Sequence, residues 1–285
     1  MKQLEIVVRR NFHLAENPLW NPFDRQLYWT DIPAGKLYSF SPLRKKIKKF
    51  DIGKMVGGFT FQADGSLLLF TAGPGISLWK EGKRLPIIEN IPGEQNSRFN
   101  DVIADPVGRV FCGTISFFGH PGNLYLLETD GKLINILKGL GCSNGMAFSP
   151  DGKFFYLTDS RKGTIFRFNY DADTGKISAG CPLIEISPEE GVPDGLTVDA
   201  EGFLWSARYN GACVVRYSCS GKERERISLP VKRVTSVTFG GEEYRDLYIT
   251  TAKGDKNSRR KDGFLFRIIR AGRGLPEFLS RIGIR

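Results

Sequence analysis

The chain has 285 residues, with 41 lysines and arginines against 31 aspartates and glutamates, a formal net charge of +10 and 41% hydrophobic residues. That apolar share is ample for a core, while no segment approaches the unbroken apolar length of a membrane-spanning helix. Met1-Lys2-Gln3-Leu4-Glu5 lacks an apolar stretch of signal-peptide length, so the expectation is a cytoplasmic protein forming a single domain over residues 1–285.

In chain order, Leu4 to Val8 reads as a strand without a hairpin partner of its own. A phrase then returns six times, a polar or glycine-bearing turn followed by an apolar run: Leu27-Tyr28-Trp29, Leu67-Leu68-Leu69, Val110-Phe111-Cys112, Phe155-Tyr156-Leu157, Leu204-Trp205-Ser206 and Leu247-Tyr248-Ile249. The runs start roughly 40 to 50 residues apart, the spacing of a repeat with about four strands per unit. Six units predict an all-β, six-bladed β-propeller. Turns such as Ala63-Asp64-Gly65, Asp105-Pro106-Val107-Gly108, Ser149-Pro150-Asp151-Gly152 and Asp199-Ala200-Glu201-Gly202 are its hairpins, and almost nothing reads as a long amphipathic helix. Phe264 to Ile268 is the candidate partner of Leu4 to Val8; pairing them in one blade removes an exposed edge and ties the repeats together.

About ten residues before each anchor, just ahead of a short strand, the repeats align Glu16, Gly57, Asn100, Asn144, Asp194 and Ser236. Equivalent positions in successive blades lie at equivalent places around the ring, so these residues converge on the central channel. Two carboxylates and two amides at one axis are costly to bury without a cationic partner. One divalent cation is the expected partner, Ca²⁺ foremost, with Mg²⁺, Mn²⁺ or Zn²⁺ also served by oxygen donors. For any one residue alone, strand termination by side chain to backbone hydrogen bonds explains the residue type as well.

Cys112, Cys142, Cys181, Cys213 and Cys219 are odd in number and form no C-x-x-C pair, which indicates neither a disulfide framework nor a thiolate zinc site. Cys112 reads as a core residue, and Cys142 is a candidate for the channel mouth. The basic run Arg44-Lys45-Lys46-Ile47-Lys48-Lys49 falls on the outermost strand of the first repeat, where lysine guards an edge. Lys222 to Arg226 and Arg259 to Lys261 read as solvated loops. No stacking aromatics interleave with these runs, so neither nucleic acid nor membrane is an expected partner. Gly141-Cys142-Ser143-Asn144-Gly145 matches G-x-S-x-G, but a strand follows it rather than a helix, and both histidines, His13 and His120, precede the serine. His13 reads as structural; His120, in the loop after Phe117-Phe118-Gly119, is a candidate general base overhanging the pocket.

The phrases Glu16-Asn17-Pro18-Leu19-Trp20 with Leu27-Tyr28-Trp29-Thr30-Asp31-Ile32, Arg98-Phe99-Asn100-Asp101, Ser143-Asn144-Gly145, Pro193-Asp194-Gly195-Leu196 and Thr235-Ser236-Val237-Thr238-Phe239 run in order along nearly the whole chain. In them the chain resembles the senescence marker protein/gluconolactonase (regucalcin-like) family of propeller lactonases. The resemblance implies that Glu16, Asn144 and Asp194 bind one divalent cation and that Arg98 and Asn100 face a small-molecule sugar lactone, placing the protein in carbohydrate metabolism as a monomer or weak oligomer. It also implies a departure: animal members carry acidic readers of sugar hydroxyls after the position of Gly113-Thr114, where this chain has Ile115-Ser116-Phe117-Phe118. An aromatic wall there suits a less hydroxylated or bulkier lactone.

The expected chemistry is metal-assisted ring opening by water, with Asp194 as the base that takes the water's proton and returns it to the leaving alkoxide. Two other classes stay open. One is a calcium-dependent phosphotriesterase resembling diisopropylfluorophosphatase, whose apolar esters suit the two phenylalanines. The other is a non-enzymatic metal-binding propeller, suggested by Tyr28-Trp29-Thr30-Asp31.

Overall fold

The computed structural model describes residues 3–254 and 260–283; Met1, Lys2 and Arg259, named in the readings above, lie outside the described residues. After β1 (Leu4–Val8), the first sheet holds β2 (Ala15–Asn21), β3 (Gln26–Asp31), β4 (Lys36–Ser41) and β5 (Lys46–Asp51), and the second β6 (Val56–Phe61), β7 (Leu67–Thr71), β8 (Gly75–Lys80) and β9 (Lys83–Ile88). The third comprises β10 (Ser97–Ala104), β11 (Val110–Ser116), β12 (Gly122–Leu127) and β13 (Leu133–Leu140), and the fourth β14 (Ser143–Phe148), β15 (Phe154–Asp159), β16 (Thr164–Tyr170) and β17 (Ile177–Glu185). The fifth is β18 (Val192–Val198), β19 (Leu204–Tyr209), β20 (Cys213–Tyr217) and β21 (Glu223–Ser228). The sixth joins β22 (Val234–Gly240), β23 (Asp246–Thr251) and β24 (Leu265–Ile268), and takes β1 as its outermost strand. This is the six-bladed propeller expected from the repeat. Among the described residues no helix is long and apolar enough to cross a membrane.

Each blade is an antiparallel meander whose hairpins have an identifiable cause. The Asp105 carboxylate accepts the amide N–H groups of Val107, Gly108 and Arg109 at 2.9, 2.8 and 3.0 Å, and Asp199 accepts those of Glu201 and Phe203 at 3.0 and 2.9 Å. An acid in this place mimics a backbone turn and fixes the loop between the innermost and second strands. The anchors lie on those second strands; Trp29, Leu69, Phe111, Leu157, Trp205 and Ile249 are fully buried between neighbouring sheets. Lys46, Ile47, Lys48 and Lys49 stand exposed on β5, at the rim of the first blade, where they blunt an open edge.

The ring is tied shut at β1 and β24, which pair as Leu4↔Ile268, Glu5↔Arg267 and Ile6↔Phe266. Arg267 adds an ion pair to Glu5 at 2.8 Å. β24 begins at Leu265, one residue later than the sequence pattern suggests.

Residues 269–283 form an irregular strap that the repeat pattern does not announce. Its Arg273 carbonyl accepts from Ala200 N–H at 2.7 Å, and the Gly274 N–H donates to Tyr244. Farther on, Ser280 N–H donates to Phe61, Arg281 N–H to Gly108 and Gly283 N–H to Thr129, each at 2.8 Å. The strap therefore runs from the fifth and sixth blades to the second and third. On the way Leu275, Glu277 and Phe278 line the end of the axial channel away from the starts of the innermost strands.

Removing residues 1–8 should lower the melting temperature by about 10 °C or more, because β24 loses its partner and Leu265, Phe266 and Ile268 lose cover. Differential scanning calorimetry reads this directly; an unchanged melt would show that the sixth blade is complete without its borrowed strand.

Candidate functional site

The six innermost strands β2, β6, β10, β14, β18 and β22 share one irregularity. Their pairing with the second strand of the blade slips between Glu16 and Leu19, Val56 and Gly58, Phe99 and Val102, Ser143 and Met146, Pro193 and Leu196, and Val234 and Ser236. A bulge re-aims side chains out of strict alternation, and here it recurs in the segments holding Glu16, Gly57, Asn100, Asn144, Asp194 and Ser236. Close packing across the axis accompanies it. A Cβ on Gly145 would lie 2.2 Å from Leu196 N and 2.7 Å from the Asp194 carbonyl oxygen, so only glycine lets β14 and β18 approach this closely.

The expected set is brought together. Asn100 Nδ2 donates to Asn144 Oδ1 at 2.5 Å and to the Ser143 carbonyl at 2.7 Å, joining the third and fourth blades. Asn144 Nδ2 donates to Ser160 Oγ at 2.7 Å, and Ser160 in turn donates to the Pro193 carbonyl at 2.6 Å, next to Asp194. Arg98 Nη1 donates to Asn100 Oδ1 at 2.5 Å and to the Phe99 carbonyl at 3.0 Å. Glu16, Asn100, Asn144 and Asp194 are all buried. Gly57 brings no side chain, and Ser236 faces the channel below.

The electrostatics are those of acids crowded without enough positive charge. Burial first, then the neighbouring Asp194 and Asp101, hold the Glu16 carboxyl well above the usual carboxylate range. Asp194 is held well above the usual carboxylate range by burial and by Asp101, opposed by Arg98. Asp101 is pushed up to about 7 by burial, again opposed by Arg98. Its Oδ1 has no hydrogen-bond partner among the described residues.

Asp101 is the residue that repeat reasoning passed over. Strict alternation sends neighbours Asn100 and Asp101 to opposite faces, yet the bulge between Phe99 and Val102 leaves both buried at the axis. The acidic residue beside Asn100 in the quoted phrase was the available signal. Ser160, on a short 3-10 turn after β15, was not foreshadowed at all.

Below the set lies a cavity of about 360 Å³ whose lining includes Asn17, Asp101, Met146, Ser236, Glu277 and Phe278. Cys142 is buried beside the site, with its sulfur 3.6 Å from Asn144 Nδ2 and its thiol pushed up to about 12, chiefly by burial. Cys112 is a buried core residue, and all five cysteines are free. His120 is exposed on the loop after β11, and the 117–121 segment is held to the fourth blade by Arg161 Nη1 donating to the Gly119 carbonyl at 3.1 Å. His13 stands at the start of the first blade against Asp31. Ser143 Oγ is fully buried without a partner among the described residues, which leaves the G-x-S-x-G match with no nucleophile geometry.

Among the described residues no group of three or more His, Cys, Asp or Glu side chains sits at metal-ligand spacing. A cation at this axis therefore needs amide oxygen as well as carboxylate. The residues fit that demand: two buried acids only partly compensated by Arg98, two asparagines, and an orphaned Asp101 oxygen, all of them hard oxygen donors.

Comparison with known proteins follows the same lines. A family model described as the SMP-30/Gluconolactonase/LRE-like region matches residues 14–253. Pentonolactonase XacC of Haloferax volcanii is 39% identical over 285 residues, 97% of each chain, and regucalcin of Sus scrofa is 32% identical over 291 residues, 97% of each. Among solved structures, a luciferin-regenerating enzyme superposes with a TM-score of 0.92 at 27% identity, covering 99% of this chain and all of the other. The calcium-binding regucalcin of Agrobacterium tumefaciens shares the fold with a TM-score of 0.93 at 23% identity, covering 99% and 98%.

Asp101 supplies a pH test. Its folded-state value lies above that of an exposed carboxyl, so its contribution to stability is complete below about pH 4 and is lost as pH rises through about 7. In chelator-treated protein, Asp101→Asn should flatten the fall in melting temperature across that window and melt several degrees above wild type at pH 8. A wild-type slope in the variant would mean that the carboxyl is not desolvated.

Proposed function

The chain belongs to the SMP-30/gluconolactonase/LRE-like family, and on that premise we propose that it is a divalent-metal-dependent lactonase that opens the ring of a sugar lactone. The observation that carries this reading is the burial of Glu16 and Asp194 at the axis, beside Asn100 and Asn144, with too little positive charge to balance them. Glu16, Asn144 and Asp194 would hold the ion. When bound, it supplies Lewis-acid polarisation of the lactone carbonyl and compensates the charge that develops there.

The side chains perform the remaining steps. Arg98, fixed by its bonds to Asn100 and the Phe99 carbonyl, directs a guanidinium edge at an oxygen-rich substrate, and Asn100 orients the ring. Asp194 takes the proton of the attacking water at a carboxylate oxygen and returns it to the ring oxygen as the C–O bond breaks. Asp101, near in charge and without a partner at Oδ1, is a second acceptor for the proton that the product acid releases.

The rim supports a choice of substrate within the class. Ile115 pairs with Arg98 across β10 and β11, and Phe117 and Phe118, exposed by 54% and 70%, follow on the same loop. Aromatic faces at that place favour a lactone with fewer hydroxyl groups. A pentonolactone has one fewer than a hexonolactone, in keeping with the name of the Haloferax relative.

Proton release on a panel of pentono-, hexono- and alkyl lactones, with stripped protein and added Ca²⁺, Zn²⁺, Mn²⁺ or Mg²⁺, tests the reading. Turnover should return with metal. Asp194→Asn should stay depressed by about 100-fold or more at saturating ion, whereas Glu16→Gln should recover much of its rate as metal is raised. Full activity in Asp194→Asn would remove the base assignment. Stoichiometric ion binding with no lactone opened would redirect the reading to phosphotriester hydrolysis or to binding alone.

A further inference from the structure

Just ahead of each axis residue, one position before it in the first five blades and two before Ser236 in the sixth, lies a residue that the second strand of the blade pairs with a partner. In the six blades in turn the opposite residue is Asp31, Thr71, Thr114, Asp159, Arg208 and Thr251, facing Ala15, Val56, Phe99, Ser143, Pro193 and Val234. A carboxylate occurs in the first and fourth blades alone. Those are the blades that carry Glu16 and Asn144.

The two acids make the same contacts. Asp31 accepts the Leu14 N–H at 3.0 Å and the His13 N–H at 3.3 Å; Asp159 accepts the Cys142 N–H at 3.0 Å and the Gly141 N–H at 2.9 Å. In both blades the residue after the acid bonds back, Ile32 N–H to the Leu14 carbonyl at 3.1 Å and Ser160 N–H to the Cys142 carbonyl at 3.0 Å. The gripped amides lie two and three residues ahead of Glu16 and of Asn144. Both acids are buried, and each meets a cationic or protonatable group on its solvent side: Lys162 Nζ lies 3.3 Å from Asp159, and His13 Nδ1 lies 3.6 Å from Asp31. Hydrogen bonds from two amides to one ionised carboxylate are short-range and strong, and they fix a segment in place rather than merely joining it. At Gly141 a Cβ would stand 2.8 Å from Asp159 Oδ1, so the grip in the fourth blade is built around the absence of a side chain.

We propose that Asp31 and Asp159 are a matched pair of positioning residues, three blades apart on the ring, that set where β2 and β14 begin and so aim Glu16 and Asn144 at a shared cation. The inference rests on the metal reading given above and adds to it residues that touch neither ion nor substrate. Threonine at the same position in the second, third and sixth blades closes its blade without gripping two amides in this way, which separates the demands of the fold from those of the site.

The test is a calorimetric titration of stripped full-length protein with Ca²⁺ and with Mn²⁺, paired with thermal melts. The variants are Asp31→Thr, Asp159→Thr and the milder Asp159→Asn, which keeps one acceptor oxygen and the side-chain shape. Asp105→Asn, in a turn at the far end of β10, is the control for losing a buried amide-gripping acid. The threonine variants should weaken ion binding by about 10- to 100-fold, with Asp159→Asn in between, as loss of a supporting contact to a ligand does. Asp105→Asn should lower the melting temperature and leave ion affinity within about twofold of wild type. Wild-type affinity in folded Asp31→Thr and Asp159→Thr, or equal weakening in Asp105→Asn, would overturn the positioning role. A wild type that takes up neither ion would overturn the metal reading itself, and the inference with it, before any variant is compared.

Discussion

Closing six twisted sheets into a ring obliges six strands to begin around one narrow axis, and most of what is distinctive in this protein follows from that crowding. Room is made by removing side chains, as at Gly145, and by slipping the register of every innermost strand. The same slip turns polar side chains inward, where water is scarce and carboxylates are costly to ionise. The raised values of Glu16, Asp101 and Asp194 are thus a product of ring geometry, not an accident of local sequence.

Such an axis is poor in folding energy and rich in chemical potential. The hydrophobic work is done farther out, between sheets, by residues such as Trp29, Phe111 and Trp205. Stability and reactivity are therefore carried by different layers of the same blades. Hairpin acids Asp105 and Asp199 hold the far ends of β10 and β18, and Asp31 and Asp159 hold the near ends of β2 and β14.

Much of this was legible in the sequence because repeats convert position into geometry. Six anchors gave the blade count, and their alignment picked out Glu16, Asn100, Asn144 and Asp194 before any contact was known. Legibility failed where the rule of alternation fails. Asp101 was hidden because the bulge sets it beside Asn100, and Ser160 because it belongs to a turn with no periodicity. The role of Asp31 and Asp159 went unread because only pairing across strands shows what the acids hold. The strap was illegible for a plainer reason: its partners are backbone N–H and carbonyl groups of four different blades, and such contacts leave no pattern of residue types.

The pairing of β1 with β24 also imposes an order of events on the growing polypeptide. Leu4 finds Ile268 only after almost all the intervening chain has been made, and loop closure over such a separation is entropically slow. Early blades can form their meanders as they emerge, because each is local in sequence. The N-terminal strand, by contrast, waits with its backbone hydrogen bonds unmade until the last blade appears. Its sequence, Leu4-Glu5-Ile6-Val7-Val8, is apolar at four of five positions, with Val8 buried and Glu5 the one acid among them. A segment of that composition, held without its partner for that interval, is an open apolar edge, so the step that closes the ring is also the step at which the growing chain is most exposed to mispairing.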